Sequence, residues 1–213
     1  MEEGNFHAII EELDMGPADY TMKAACPTEF EFEGSSKGFE GAIAVRDVNN
    51  QLVVLGLCEG NYCSEKRKND RGNGRLVAMS RVTLDDGTCE WQTLREIHIP
   101  KSADFADYSA ITMDAKGSVA ISSQEDSQIW IGKLLGQTPE GLWNIAEMEF
   151  ASTKKGKKFN FPKNDMCMTV YCNIEGIHWI NDEMLLAVSD KMKKNQDFRC
   201  FEKDQHVHVF VLP

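Results

Sequence analysis

One short pattern occurs three times and limits what this chain can become. It reads Phe39-Glu40-Gly41-Ala42-Ile43-Ala44-Val45, then Asp107-Tyr108-Ser109-Ala110-Ile111-Thr112-Met113, then Ile174-Glu175-Gly176-Ile177-His178-Trp179-Ile180. Each copy sets a polar or acidic residue and a tiny one ahead of a short apolar strand. Gly41 to Ser109 is 68 positions, and Ser109 to Gly176 is 67. A second strand follows each copy, at 51–58, 118–123 and 183–189, and each ends in acid: Glu59, then Glu125-Asp126, then Asp190. Third strands are predicted at 75–82, 128–134 and 206–212, and fourth strands at 91–99 and 142–150. A fixed long period carrying four strands per unit is the sequence signature of a β-propeller. The expected fold is therefore all-β, with a partial blade at 1–33 and blades at 39–99, 107–150 and 173–213. The period exceeds the roughly 40–50 residues of common propeller repeats, so the blades must carry long loops. Closed propellers have about four to eight blades. Three and a fraction are too few, so the chain is expected to be part of a larger ring.

Composition narrows the function classes. The net charge of −11 argues against nucleic-acid binding, which needs a basic surface. No apolar run approaches the roughly 18 residues that would span a bilayer. The start, Met1-Glu2-Glu3-Gly4-Asn5, has no apolar signal core. A cytoplasmic protein without a membrane partner is the expectation. The seven cysteines include two pairs with the same four-residue gap, Cys58/Cys63 and Cys167/Cys172. Each pair is a local disulfide, a metal clip or two reduced thiols. Reduced thiols fit the expected compartment, and a zinc site would want a closer pair such as CxxC.

Strand direction in a four-stranded meander fixes which loops share a face. Connections between blades and loops between second and third strands emerge together. The blade-entry residues Glu40, Asp107, Tyr108 and Glu175 fall on that face, and so do Glu59, Glu125, Asp126, Asp190 and Lys191. The long loops 59–74, 151–172 and 191–205 belong there too, and long loops on a rigid scaffold are where sites are built. Carboxylates near one axis either bind a cation, for which calcium is suited, or hydrogen-bond backbone amides of the next blade. The same loops hold basic residues, among them Arg75, Lys158 and Arg199, which would attract an anionic ligand. The HExxH and GxSxG patterns are absent, and spacing assembles no Ser-His-Asp set.

The Glu-Gly strand entry at Glu40-Gly41 and Glu175-Gly176, with strands ending Val188-Ser189-Asp190-Lys191 or Ser123-Gln124-Glu125-Asp126, resembles phytase-like and related esterase-like β-propellers. The resemblance covers most of the chain at the level of repeat pattern. It implies a face that binds calcium or phosphate-bearing substrates. Two functions follow as expectations. The first is a binding or scaffolding module whose long-loop face holds a small anionic ligand or a protein partner. The second is a calcium-dependent hydrolase of phosphate or carboxylic esters. The candidate ligand-binding residues are Glu40, Glu59, Tyr108, Glu125, Asp126, Glu175, Asp190 and Lys191.

Overall fold

The computed structural model describes residues 6–32, 37–58, 74–152, 156–191 and 197–212. The chain is nearly all β, as the repeat predicts. The strands are β1 (Phe6–Met15), β2 (Tyr20–Phe32), β3 (Phe39–Arg46), β4 (Leu52–Cys58), β5 (Arg75–Thr83), β6 (Cys89–His98) and β7 (Ala110–Met113), followed by β8 (Ser118–Ser123), β9 (Gln128–Leu135), β10 (Glu149–Phe150), β11 (Lys157–Asn160), β12 (Ile174–Asn181), β13 (Met184–Ser189) and β14 (Val207–Val211). Helical structure among the described residues is confined to short 3-10 turns at Lys101–Ala103, Ile145–Glu147 and Phe198–Lys203. No helix there is long and apolar enough to cross a membrane.

Three sheets form, and each begins with one copy of the repeated pattern. The first runs β3-β4-β5-β6 and continues through the hairpin β1–β2, which joins β6 at the single parallel bridge Thr28↔Trp91. The second runs β7-β8-β9, with β10 and β11 both paired to the outer side of β9. The third is β12-β13-β14. The entry strands line up, with β3 packed on β7 and β7 packed on β12. This explains the tiny residue in the first copy. A Cβ added at Gly41 would lie 3.1 Å from the Ile111 backbone nitrogen, so a side chain there would push β7 away. In the second copy the small residue is used chemically. Ser109 Oγ, fully buried, donates to the Ile174 carbonyl oxygen of the next sheet at 2.9 Å.

The turns after the entry strands repeat too. Asp47 Oδ1 accepts from the Asn49 and Gln51 amides at 2.9 and 2.7 Å. Asp114 Oδ1 accepts from the Lys116 and Ser118 amides at 2.9 and 2.7 Å. Asn181 Oδ1 accepts from the Glu183 amide at 2.9 Å. Each is a side chain mimicking a backbone turn bond.

The core lies between the sheets. Val53, Leu55, Leu57, Leu76 and Ala78 of the first sheet meet Val119, Ile121, Trp130 and Leu134 of the second. Ala120 and Ile129 point the other way and meet Ile174, Trp179, Leu185 and Ala187 of the third. The period of two in a strand sends alternate residues to opposite faces, so the middle sheet is buried on both.

Three expectations need correction. The predicted fourth strand at 142–150 is mostly not a strand. Trp143 is buried and bridges to Asp47 and Gln137 instead of lying along β9. Its indole is an apolar mass that gains more from the core than an extended path would give. The outer edge of β9 is filled by β10 and β11, so residues 157–160 of the expected loop 151–172 are strand. Most of the described cysteines are not reduced. Cys26 bonds Cys89, Cys172 bonds Cys200, and Cys58 is disulfide-bonded as well. The four-residue gap does not set the pairing of Cys172, because the turn at 164–168 leaves Cys167 free and exposed. Cys63 lies outside the described residues. Disulfides form and persist in oxidising environments, which runs against the cytoplasmic expectation.

A hollow between the second and third sheets

The loop face resolves into three groups of side chains. The first is built where the β8–β9 turn meets the entry to β7. Ser123 Oγ donates to Asp107 Oδ1, and the Glu125 amide donates to the same oxygen at 3.1 Å. Asp126 folds back, its amide donating to Ser123 Oγ at 3.1 Å while its Oδ2 accepts from the Ala106 amide at 2.7 Å. Asp107 Oδ2 is buried and has no partner. Burial dominates and pushes the Asp107 carboxyl up from the ordinary carboxylate range, against the lowering effect of the Ser123 hydroxyl. The arrangement is a closed cap that joins the acid ahead of β7 to an acid of the β8–β9 turn.

The second group is at the corresponding end of the third sheet. The Asp190 amide donates to the Asn173 carbonyl oxygen at 2.9 Å, and Asn173 Nδ2 donates to the Lys191 carbonyl oxygen at 3.4 Å. The Asp190 and Lys191 side chains are exposed. Ser189 Oγ contacts the Lys203 carbonyl oxygen, accepts from the His206 amide at 3.3 Å and lies 3.2 Å from His208 Nε2. With its proton directed to Lys203, Ser189 is a stitch between β13 and β14 rather than a nucleophile activated by His208. Burial lowers the His208 pKa below 6.5.

The third group encloses space. A hollow of about 420 Å³ is lined by Gln124 and Glu125 from the β8–β9 turn, Thr169 and Cys172 from the connection between sheets, and Asp197, Arg199 and Cys200 from the last 3-10 turn. The Cys172–Cys200 disulfide ties two of its walls together. Asp197 caps that turn, accepting from the Arg199 amide at 3.3 Å, and its Oδ2 pairs with Arg199 Nη1 at 3.0 Å. The pair fixes the guanidinium, whose Nε is buried without an acceptor.

The candidate residues fare differently. Glu125 lines the hollow, and Asp126 belongs to the cap beside it. Tyr108 is buried completely. Its hydroxyl donates to the Ala103 carbonyl oxygen at 2.9 Å, its ring meets Phe105 edge-on at 5.8 Å, and burial raises its pKa. It therefore packs the core and faces no solvent. Glu40 is exposed on β3 and Glu175 half-buried on β12, each with an interaction partner. Glu59 lies outside the described residues. Arg75 is buried and paired with Glu96 at 3.0 Å. Lys158 stands on β11, its ammonium 5.6 Å from the Phe105 ring centroid. Among the described residues no group of three or more His, Cys, Asp or Glu side chains converges to hold a metal. Sequence reasoning placed Arg199 among the loop cations but missed Asp197, Thr169 and the Cys172–Cys200 wall. The signal available was Asp197-Phe198-Arg199, an N-capping acid two residues before a cation it can clamp.

No protein-family model, curated protein or solved structure matches the chain.

Proposed function

We propose that the three sheets are consecutive blades of a β-propeller and that the chain is a binding module whose loop face takes a small anionic ligand in the hollow beside Arg199. The reading is supported by the repeat, by the successive packing of β3, β7 and β12, and by the hollow's construction. The single observation that carries it is Arg199, held by Asp197 through Nη1 with its Nε buried and lacking an acceptor. Arg199 is the cation among the described residues that line the hollow, and an anionic oxygen entering it pairs with that guanidinium. Glu125, Gln124 and Thr169 on the opposing walls suit a ligand that also carries hydroxyl or amine donors. The resemblance to phytase-like and esterase-like propellers gives the same expectation of a phosphate-bearing ligand. The disulfides favour an oxidising compartment as the place of action.

The test is calorimetric titration with inorganic phosphate and with a sugar phosphate, on the parent and on Arg199→Gln. Saturable binding that falls at least tenfold in the variant, with an unchanged melting temperature, supports the reading. Equal binding by both proteins, or none by either at millimolar ligand, sinks it. Titration with calcium in the same format tests the hydrolase alternative. That alternative has no converging ligand set behind it among the described residues.

A further inference from the structure

The 3-10 turn Phe198–Lys203 carries Arg199 but buries little of its own surface. Cys200 is the one buried residue of the turn, and Phe198 and Phe201 stand 83% and 53% exposed. The polar contacts of its first half are internal. Asp197 accepts from the Arg199 amide and pairs with its guanidinium, and the Cys200 amide donates to the Asp197 carbonyl oxygen at 3.0 Å. Among the described residues, the bond from Cys200 to Cys172 is what ties this half to the connection between the second and third sheets. The far end of the turn is anchored separately. There Ser189 Oγ contacts the Lys203 carbonyl oxygen, and the Lys203 ammonium lies 5.7 Å from the Tyr171 ring centroid. A segment with few buried contacts opens locally at low cost, so the disulfide decides where Arg199 stands.

Both half-cystines line the hollow, and Cys172 is only half-buried. Neither belongs to the apolar core between the second and third sheets. Cys26–Cys89 is placed differently, since both of its residues pack in the cluster of Phe32, Val77, Met79 and Trp91 under the hairpin. Opening that bond disturbs a packed cluster, whereas opening Cys172–Cys200 disturbs one turn. We propose that Cys172–Cys200 is a thiol-operated latch, opened by a dithiol reductant that enters the hollow, and that its opening lets the turn carry Arg199 away. A thiolate of the dithiol attacks Cys172 Sγ, the more accessible sulfur. The Cys172–Cys200 bond breaks, and Cys200 leaves as a thiolate that takes up a proton. The second thiol of the reductant then attacks the mixed disulfide and frees Cys172. The protein gains two electrons and two protons, and the dithiol becomes a disulfide. The effect on binding rests on the ligand reading above, while the release of the turn does not.

Stepwise reduction of the full chain with dithiothreitol tests it, with the free thiol Cys167 blocked beforehand by N-ethylmaleimide. Alkylation and peptide mapping are expected to find Cys172 and Cys200 modified at least tenfold sooner than Cys26 and Cys89. At that stage trypsin should cut after Arg199 at least tenfold faster than in the oxidised chain. Phosphate binding should fall at least tenfold and return on reoxidation. Cys172→Ser with Cys200→Ser should match the reduced parent in both readouts and ignore dithiothreitol. Reduction of the two bonds together overturns the proposal. So does reduction of Cys172–Cys200 that leaves the cut after Arg199 as slow as before, or phosphate binding that persists through it. Absence of phosphate binding in the oxidised parent removes the ligand reading alone, and the labelling order and the tryptic cut then decide the latch.

Discussion

The first and third sheets begin from the same Glu-Gly pattern and end in different states. In the first sheet both faces are covered. One packs on the second sheet, and the hairpin β1–β2 curls over the other. Phe32 meets Phe30 and Phe39 edge-on at 5.4 and 4.9 Å, and Cys26–Cys89 fastens the hairpin to β6. In the third sheet one face packs on the second sheet and the other carries exposed valines. The repeat unit thus encodes a sheet that is apolar on both sides. Whether a side is buried depends on what lies next to it. The hairpin falls outside the repeated pattern and covers the outer face of the first sheet.

That contrast breaks most visibly at Trp91. Its indole is buried between hairpin and sheet, and Trp91→Ala should cost about 3–5 kcal/mol. Val209→Ala on the open face of the third sheet should change stability by less than about 0.5 kcal/mol. Denaturant titration of both variants gives the comparison, and near-equal losses would mean the open face is already covered.

The disulfides sharpen it further. Cys26–Cys89 closes 63 residues and Cys172–Cys200 closes 28. Replacing either pair by serines should cost about 2–4 kcal/mol, and loop-closure entropy makes the first loss larger by about 0.7 kcal/mol. Only the second replacement should also weaken phosphate binding, because only that bond forms a wall of the hollow. Thermal melts beside calorimetry separate the two effects.

The contact between second and third sheets is tested more gently. Ser109→Ala removes the hydroxyl that reaches Ile174 and leaves that buried carbonyl without its donor, at a cost of about 1–2 kcal/mol. Loss of β12 amide protection ahead of β4 protection in hydrogen exchange would show that the third sheet detaches first. Uniform loss would show that the three sheets unfold as one body.

The part of this arrangement legible in the sequence was the part with a local cause. Strand spacing of 67–68 residues, tiny entry residues and Asx turns at Asp47, Asp114 and Asn181 are local signals, and the three sheets follow them. The turns carry a stricter repeat than the entry pattern, 67 positions each time (114 − 47 and 181 − 114), which was there to be read. Contacts distant in the chain were not legible. Nothing in Cys26 names Cys89 as its partner, since pairing depends on how the hairpin curls. Trp143 leaves the expected strand because a pocket between two sheets exists only once both are folded. Tyr108 sits one position from Ser109 of the repeated pattern and has the polar handle of a ligand residue, yet its ring is the plug beside Gly74, where an added Cβ would lie 2.3 Å from it. Glu125 was found because a turn acid is exposed by geometry. Asp197, Thr169 and the disulfide wall come from segments about 30 residues apart that only the fold brings to one hollow.

The smallest expected effect separates the two titrating caps by sign. Burial raises the Asp107 pKa above 3.8 and lowers that of His208 below 6.5. For Asp107 the folded state holds its proton more tightly than the unfolded chain does. Its contribution is fully present below the unfolded pKa and is lost as pH rises through the folded one. For His208 the folded state favours the neutral ring. That contribution is present above about 6.5 and declines as pH falls through the folded pKa. Asp107→Asn should therefore be most destabilising at acid pH and approach the parent towards neutrality, while His208→Gln should be most destabilising near neutrality and approach the parent on acidification. Melting temperatures between pH 4 and pH 8 read both slopes. His208 is only partly shielded from water, so its slope should be the shallower of the two. Parallel slopes in the two variants would show that neither group titrates in the environment described for it.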